Sequence, residues 1–157
     1  MIRRILIGAL VAAAAALAAC GSSGPSKADF VKKADTECQK VNAAHPAKPT
    51  PKDAKEASAQ QAEEIQIRTA LDKKLKSLSV ADDVKDDFDS YNGQTTKIIA
   101  QIAKMKAAAD RNDEKAYTAD QATFSRLSAT REVTAKKIGF RVCGRSLARV
   151  SESTKIK

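Results

Sequence analysis

The chain contains no Trp, one His, six Gly and four Pro, and each shortage closes off a class of protein. A single imidazole, His45, cannot supply a site built on two histidines. So few Gly and Pro leave little turn chemistry for an all-β or loop-rich fold. The aromatics are two Tyr and four Phe, too few to fill a core and also form a stacking platform for bases. What is present is abundant Ala, Lys, Asp and Gln, which favours helix. The length of 157 residues suits one domain with appendages, and the formal net charge is +9.

Residues 1–20 read MIRRILIGALVAAAAALAAC. Arg3 and Arg4 precede an unbroken apolar or Gly run of about 15 residues, short of the roughly 20 that a membrane span needs. A charged start, a short apolar run and small residues at its end describe a secretory signal peptide. Leu17-Ala18-Ala19-Cys20, followed by Gly21, resembles the bacterial lipobox. The resemblance implies cleavage before Cys20, a diacylglycerol thioether on its sulfur and acylation of the new amino terminus. Two or three acyl chains hold a protein firmly at a bilayer, at about 0.8 kcal/mol per buried methylene. Ser22, Ser23, Gly24 and Pro25 form a short flexible tether. Loss of Arg3 and Arg4 with the leader lowers the net charge from +9 to +7.

The remaining chain reads as four helices. Ser26 with Asp29 three residues on is a capping-box-like start, and Phe30, Ala34, Cys38 and Val41 share one helical face. This first helix is short, about 16 residues at the helical rise, and ends near Asn42. His45-Pro46-Ala47-Lys48-Pro49-Thr50-Pro51 follows as an extended connector. The second helix is expected to start at Thr50 as N-cap with Pro51 in the first turn. Its face carries Ala54, Ala57, Gln61, Ile65, Leu71, Leu75 and Leu78, interrupted by Arg68. The third is the clearest: Val84, Phe88, Tyr91, Thr95, Ile98, Ile102, Met105 and Ala109 alternate spacings of four and three, a seam for packing at a shallow angle. That seam serves either the bundle's own core or a dimer. Asn112-Asp113 recaps the chain, and the fourth helix presents Tyr117, Phe124, Leu127, Thr134 and Ile138, with Gly139 as its stop. The last three helices are each expected to run about 26 to 29 residues.

With Cys20 lipidated, Cys38 and Cys143 remain in a compartment that permits disulfides. They either pair or stay as two buried thiols. Pairing closes a loop of about 100 residues and contributes about 4 to 5 kcal/mol in the chain-entropy model. It also requires Cα atoms within about 7 Å, which sets the short first helix beside the end of the fourth. The connector is long enough to climb the rest of the bundle. Ala34-Asp35-x-x-Cys38, Leu75-x-x-Leu78 and Gly139-x-x-x-Cys143-Gly144 resemble small secreted helical proteins and lipoproteins of actinobacteria. That resemblance spans roughly residues 27–144; it implies the bundle and the disulfide, and no activity.

The expected organisation is a lipoprotein signal peptide over residues 1–19, a lipidated Cys and tether over 20–26, a helical domain over 27–144 and a basic tail over 145–157. The fold class is all-α, a four-helix bundle-like domain with one short and three long helices and one intramolecular disulfide.

Little chemistry is legible. His45 has no nucleophile placed by sequence to use it, and no Glu precedes it at the spacing of a di-metal bundle. Asp110-x-Asn112-x-Glu114 begins like a calcium loop, but Lys115 stands where Gly is needed and Gln121 where a bidentate Glu is needed. Asp82, Asp83, Asp86, Asp87 and Asp89 suit a helix start. No catalytic residue, metal ligand or cofactor is assigned. Arg141, Arg145 and Arg149 are spaced at four, so a continued helix would align them, with Lys155 and Lys157 beyond. Beside a lipid anchor these cations are candidates for contact with anionic lipid or cell-wall polymer. No nucleic-acid role is expected.

The expected function is a membrane-anchored extracytoplasmic lipoprotein on the outer face of the bacterial cell membrane. It is read as a non-enzymatic interaction module binding an envelope protein or component. The alternative is a carrier or sensor holding a small apolar ligand between the helices.

Overall fold

The computed structural model describes residues 24–145. Four helices follow in order: α1 (Lys27–Ala44), α2 (Ala54–Lys76), α3 (Lys85–Asp110), entered through a 3₁₀ turn at Asp82–Val84, and α4 (Glu114–Ile138). The described residues form an all-α bundle with one disulfide, as expected. None of these helices is long and apolar enough to cross a membrane. The leader, Cys20, Arg149, Lys155 and Lys157 lie outside the described residues.

Capping explains most boundaries. The Ser26 hydroxyl accepts from the Asp29 amide at 3.2 Å and opens α1. Its helix runs on to Ala44, two residues past the expected end. Asp53, not Thr50, caps α2 through the Glu56 amide at 2.8 Å, and Pro51 is buried ahead of the helix rather than inside its first turn. A carboxylate at the N-cap satisfies a free amide and opposes the positive end of the helix dipole, so it outcompetes the threonine. Helix α3 spans 26 residues, within the expected range, while α2 and α4 span 23 and 25 and are shorter than expected because the loops take more chain. Asn112 takes a left-handed conformation at φ 52°, and Asp113 caps α4 through the Ala116 amide at 3.0 Å.

Helices α2, α3 and α4 run up, down and up. The fourth position of the bundle is shared. Helix α1 descends beside the C-terminal half of α2, and the connector then descends beside its N-terminal half. Gln60 donates to the Pro49 carbonyl at 3.1 Å, and Lys48 pairs with Glu63. The extended connector therefore covers the height that α1 does not reach.

Two hydrophobic clusters result. At the α1 end, Phe30, Ala34 and Cys38 pack on Leu71, Leu75, Val84, Phe88, Tyr91, Ile138 and Phe140. Phe30 and Phe88 meet edge-to-face with centroids 5.0 Å apart, and Tyr91 and Phe140 at 5.4 Å. Such pairs add about 0.5–1.5 kcal/mol beyond area burial. At the far end Ala57, Ile98, Ile102, Met105, Ala109, Tyr117 and Phe124 close the bundle. All eight residues of the α3 seam are buried within this one chain, so the seam serves the bundle's own core.

A charged layer separates the clusters. Arg68 and Glu64 are 2% and 4% exposed, and the Arg68 Nε donates to Glu64 Oε1 at 2.6 Å. The Arg68 guanidinium also lies over the Phe124 ring at 5.7 Å, and that of Arg131 over the Tyr91 ring at 5.2 Å. The buried stripe of α2 is therefore Gln61, Glu64, Ile67, Arg68, Leu71 and Leu75, rather than one passing through Ile65, which is half-buried. Arg131 likewise fills the register between Phe124 and Ile138 on α4. Burial holds the Arg68 guanidinium below the usual arginine range, with Glu64 opposing that shift.

Candidate functional site

The most elaborate local arrangement surrounds the disulfide. Helix α4 stops at Gly139, whose φ of 100° belongs to the left-handed region that glycine adopts without a Cβ penalty. The Phe140 amide closes the helix end on the Ala135 carbonyl at 3.0 Å. The chain then folds back along α1. Asp35 receives it: its Oδ2 accepts from the Arg141 amide, and its Oδ1 from the Val142 and Cys143 amides, all at 2.9 Å. Cys143 then bonds Cys38 with Cα atoms 5.4 Å apart. Gly144 suits a close approach, since a Cβ there would lie 3.0 Å from the Phe140 oxygen and 3.1 Å from the Ala135 Cβ and would push these neighbours back by a few tenths of an ångström. The Ala34-Asp35-x-x-Cys38 and Gly139-x-x-x-Cys143-Gly144 signatures are thus two halves of one structural lock.

This lock creates an open groove of ≈760 Å³ between α1 and residues 138–141. Its floor includes Ala28, Val31 and Ile138, and Lys27, Lys32 and Arg141 stand around it. The Lys27 ammonium donates to the Lys137 carbonyl at 3.4 Å. No salt bridge among the described residues involves Lys27, Lys32 or Arg141. The carboxylate lining the groove is Asp35, and both its oxygens already accept backbone amides. Across α1, a smaller groove of ≈440 Å³ is electrostatically mixed, lined by Lys32, Lys33 and Lys74 together with Asp29 and Glu37, so Lys32 borders both grooves. There Lys40 hydrogen-bonds the Glu37 carboxyl and holds it below the usual carboxylate range, despite some desolvation.

No family model, curated protein or solved structure matches the chain.

The other sequence candidates separate cleanly. Arg141 and Arg145 do not share a helical face. Helix α4 has ended, and the Arg145 amide bonds the Val142 carbonyl at 3.2 Å in a turn. Gly139 ends the helix as expected and the Asp35 lock redirects the chain, so the alignment that a continued helix would have given these arginines does not form. Of the basic candidates, Arg141 enters the groove, Arg145 is exposed beyond it, and the rest of the series lies outside the described residues. His45 lines a cavity of ≈20 Å³ against Gln61, Glu64 and Ile67, with room for about one water. Asp110 binds Lys106 and Ser58, and Asp89 binds Lys85. Among the described residues, no group of three or more His, Cys, Asp or Glu is placed to hold a metal ion.

Sequence reasoning passed over Lys27 and Lys32. Both lie on the solvent side of α1, where Lys is unremarked until residues 138–141 are folded against the same helix.

Proposed function

We propose that the protein is a membrane-anchored extracytoplasmic lipoprotein, held through lipid on Cys20, and that it works by binding an envelope component rather than by catalysis. The observation that carries this reading is the position of Lys27. It is the first residue of α1 and lines the cationic groove, seven positions after Cys20. A tether over residues 20–26 extends at most about 25 Å. It thus keeps the groove close to the surface bearing the anchor, and raises the effective concentration of any partner there.

The interior supports binding at the surface over carriage of an apolar ligand. Between the two hydrophobic clusters stand Glu64, Arg68 and Arg131, and the cavity beside them measures only ≈10 Å³. An apolar molecule there would have to part these buried charges from the hydrogen bonds they already make, the Arg68–Glu64 and Arg131–Tyr91 bonds, and offers none in return.

The test is the mass of the amino-terminal peptide recovered from membranes of the producing cell. A peptide beginning at Cys20 and carrying two or three acyl chains is expected, with release of the protein from the membrane fraction in Cys20→Ala. Recovery of an unmodified Cys20 peptide would overturn the anchor. Cross-linking in intact cells through exposed lysines is then expected to recover the same envelope component across repeats, and random recovery would count against the interaction role.

A further inference from the structure

We infer that the groove between α1 and residues 138–141 binds the phosphate headgroup of an anionic membrane phospholipid, with the start of its apolar portion lying on Ala28 and Val31. This inference rests on the anchored reading above and names the ligand of the same groove.

Three observations carry it. First, the groove presents Lys27, Lys32 and Arg141 with no carboxylate paired to any of them, while Asp35 is occupied by three backbone amides. Lys32 borders both this groove and the mixed one across α1, whose lining adds Asp29 and Glu37, whereas Lys27 and Arg141 belong to this side, where Asp35 is the one acidic lining residue. Second, the cations border a partly apolar floor. Ala28 is exposed and Val31 half-buried, and the aliphatic stems of the lysines extend that surface. A free phosphate would use the cations alone, whereas a phospholipid uses both parts. Third, the tether enters α1 at Lys27, on the rim. Exposed charges act over about 8 Å at physiological ionic strength, which lies within the span of about 25 Å that the tether lets the groove explore above the surface. The planar fork of Arg141 matches two phosphate oxygens, and Lys27 and Lys32 act as point charges beside it.

The lipoprotein purified from membranes and reconstituted in nanodiscs provides the test, with photoactivatable phosphatidylglycerol or phosphatidylcholine as the probe. Phosphatidylglycerol is expected to label peptides containing residues 27–36 and 138–145 at least fivefold more than phosphatidylcholine. With about 1 kcal/mol per surface cation, Lys32→Gln with Arg141→Gln should cut that yield roughly 25-fold at sub-saturating lipid. Lys104→Gln with Lys115→Gln, at the opposite end of the bundle, should leave it unchanged. Equal labelling by both lipids, labelling elsewhere, or equal losses in the two double variants would overturn the proposal. So would full displacement by inorganic phosphate, which would mark a free-phosphate site, or by an anionic wall-polymer fragment. If the purified protein carries no lipid on Cys20, the anchored reading fails by itself. The same labelling is then run on the soluble protein with the probe in vesicles, where labelling of the groove still sustains the site and its absence rejects it.

Discussion

Asp35 grips Cys143 by its backbone amide at 2.9 Å, while Cys38, one helical turn further along α1, grips the same residue by its sulfur. The segment after α4 is thus fastened twice, and the two fastenings are separable. Asp35→Ala removes the acceptor of three amides and should lower stability by about 2–3 kcal/mol with the disulfide intact. Asp35→Asn keeps part of the arrangement and should fall between. Urea unfolding under non-reducing conditions measures both. A loss below about 0.5 kcal/mol for Asp35→Ala would show that water replaces the carboxylate.

Removing the covalent half alone is the complementary experiment. Cys38→Ala with Cys143→Ala opens a loop with a sequence separation of 105. About 4 to 5 kcal/mol of stability should be lost on the chain-entropy estimate. If the oxidised protein and the double variant share one urea midpoint, the loop-entropy account fails here.

The Glu64–Arg68 pair predicts asymmetric mutational behaviour. Glu64→Leu strands a guanidinium that is 2% exposed, and should cost about 3–5 kcal/mol. Adding Arg68→Met removes the stranded charge and should restore most of that loss, because an apolar pair carries no desolvation penalty. Additive losses in the double-mutant cycle would contradict this account.

Tyr91 makes stability depend on alkaline pH. Burial pushes its phenol above the usual value of 10.0, opposed by the charges of Arg131 and Arg68. A raised folded pKa means that the native state holds its proton when the unfolded chain has lost it. The contribution is therefore complete below about pH 10 and is lost as pH rises toward the folded value. Tyr91→Phe should lower stability at pH 8 by about 1 kcal/mol, through loss of the bond to the Cys143 carbonyl at 3.1 Å. The gap between wild type and variant should narrow by pH 11. A constant gap across that range would argue against the shift.

Gly93 sits inside α3, exposed, with nothing within 4 Å of where a Cβ would stand. Gly93→Ala should raise stability by about 0.5–1 kcal/mol, the intrinsic helical difference between the two residues. Thermal unfolding reads it directly, and a loss of stability would point to a role for the bare backbone.

The sequence alone determined the helical class and the α3 seam, because both depend on local periodicity; it narrowed the cysteines to a Cys38–Cys143 pair or two buried thiols, and the structure shows the pair. Phe88, Tyr91, Ile98, Ile102 and Met105 are all buried as their spacing requires. The same reasoning left Glu64 and Arg131 out of the core stripes, since a charged side chain there is recognisable only when its partner is in view. Glu64 meets Arg68 on its own helix, and Arg131 meets Tyr91 across two. The groove is wholly tertiary: Lys27 and Arg141 are 114 positions apart in the chain. They line one surface because Gly139 ends α4 and Asp35 captures the amides that follow. Periodicity fixes which face of a helix is buried. Where its exposed face ends up, and which distant charges stand beside it, is decided by how the chain reverses and what holds it there.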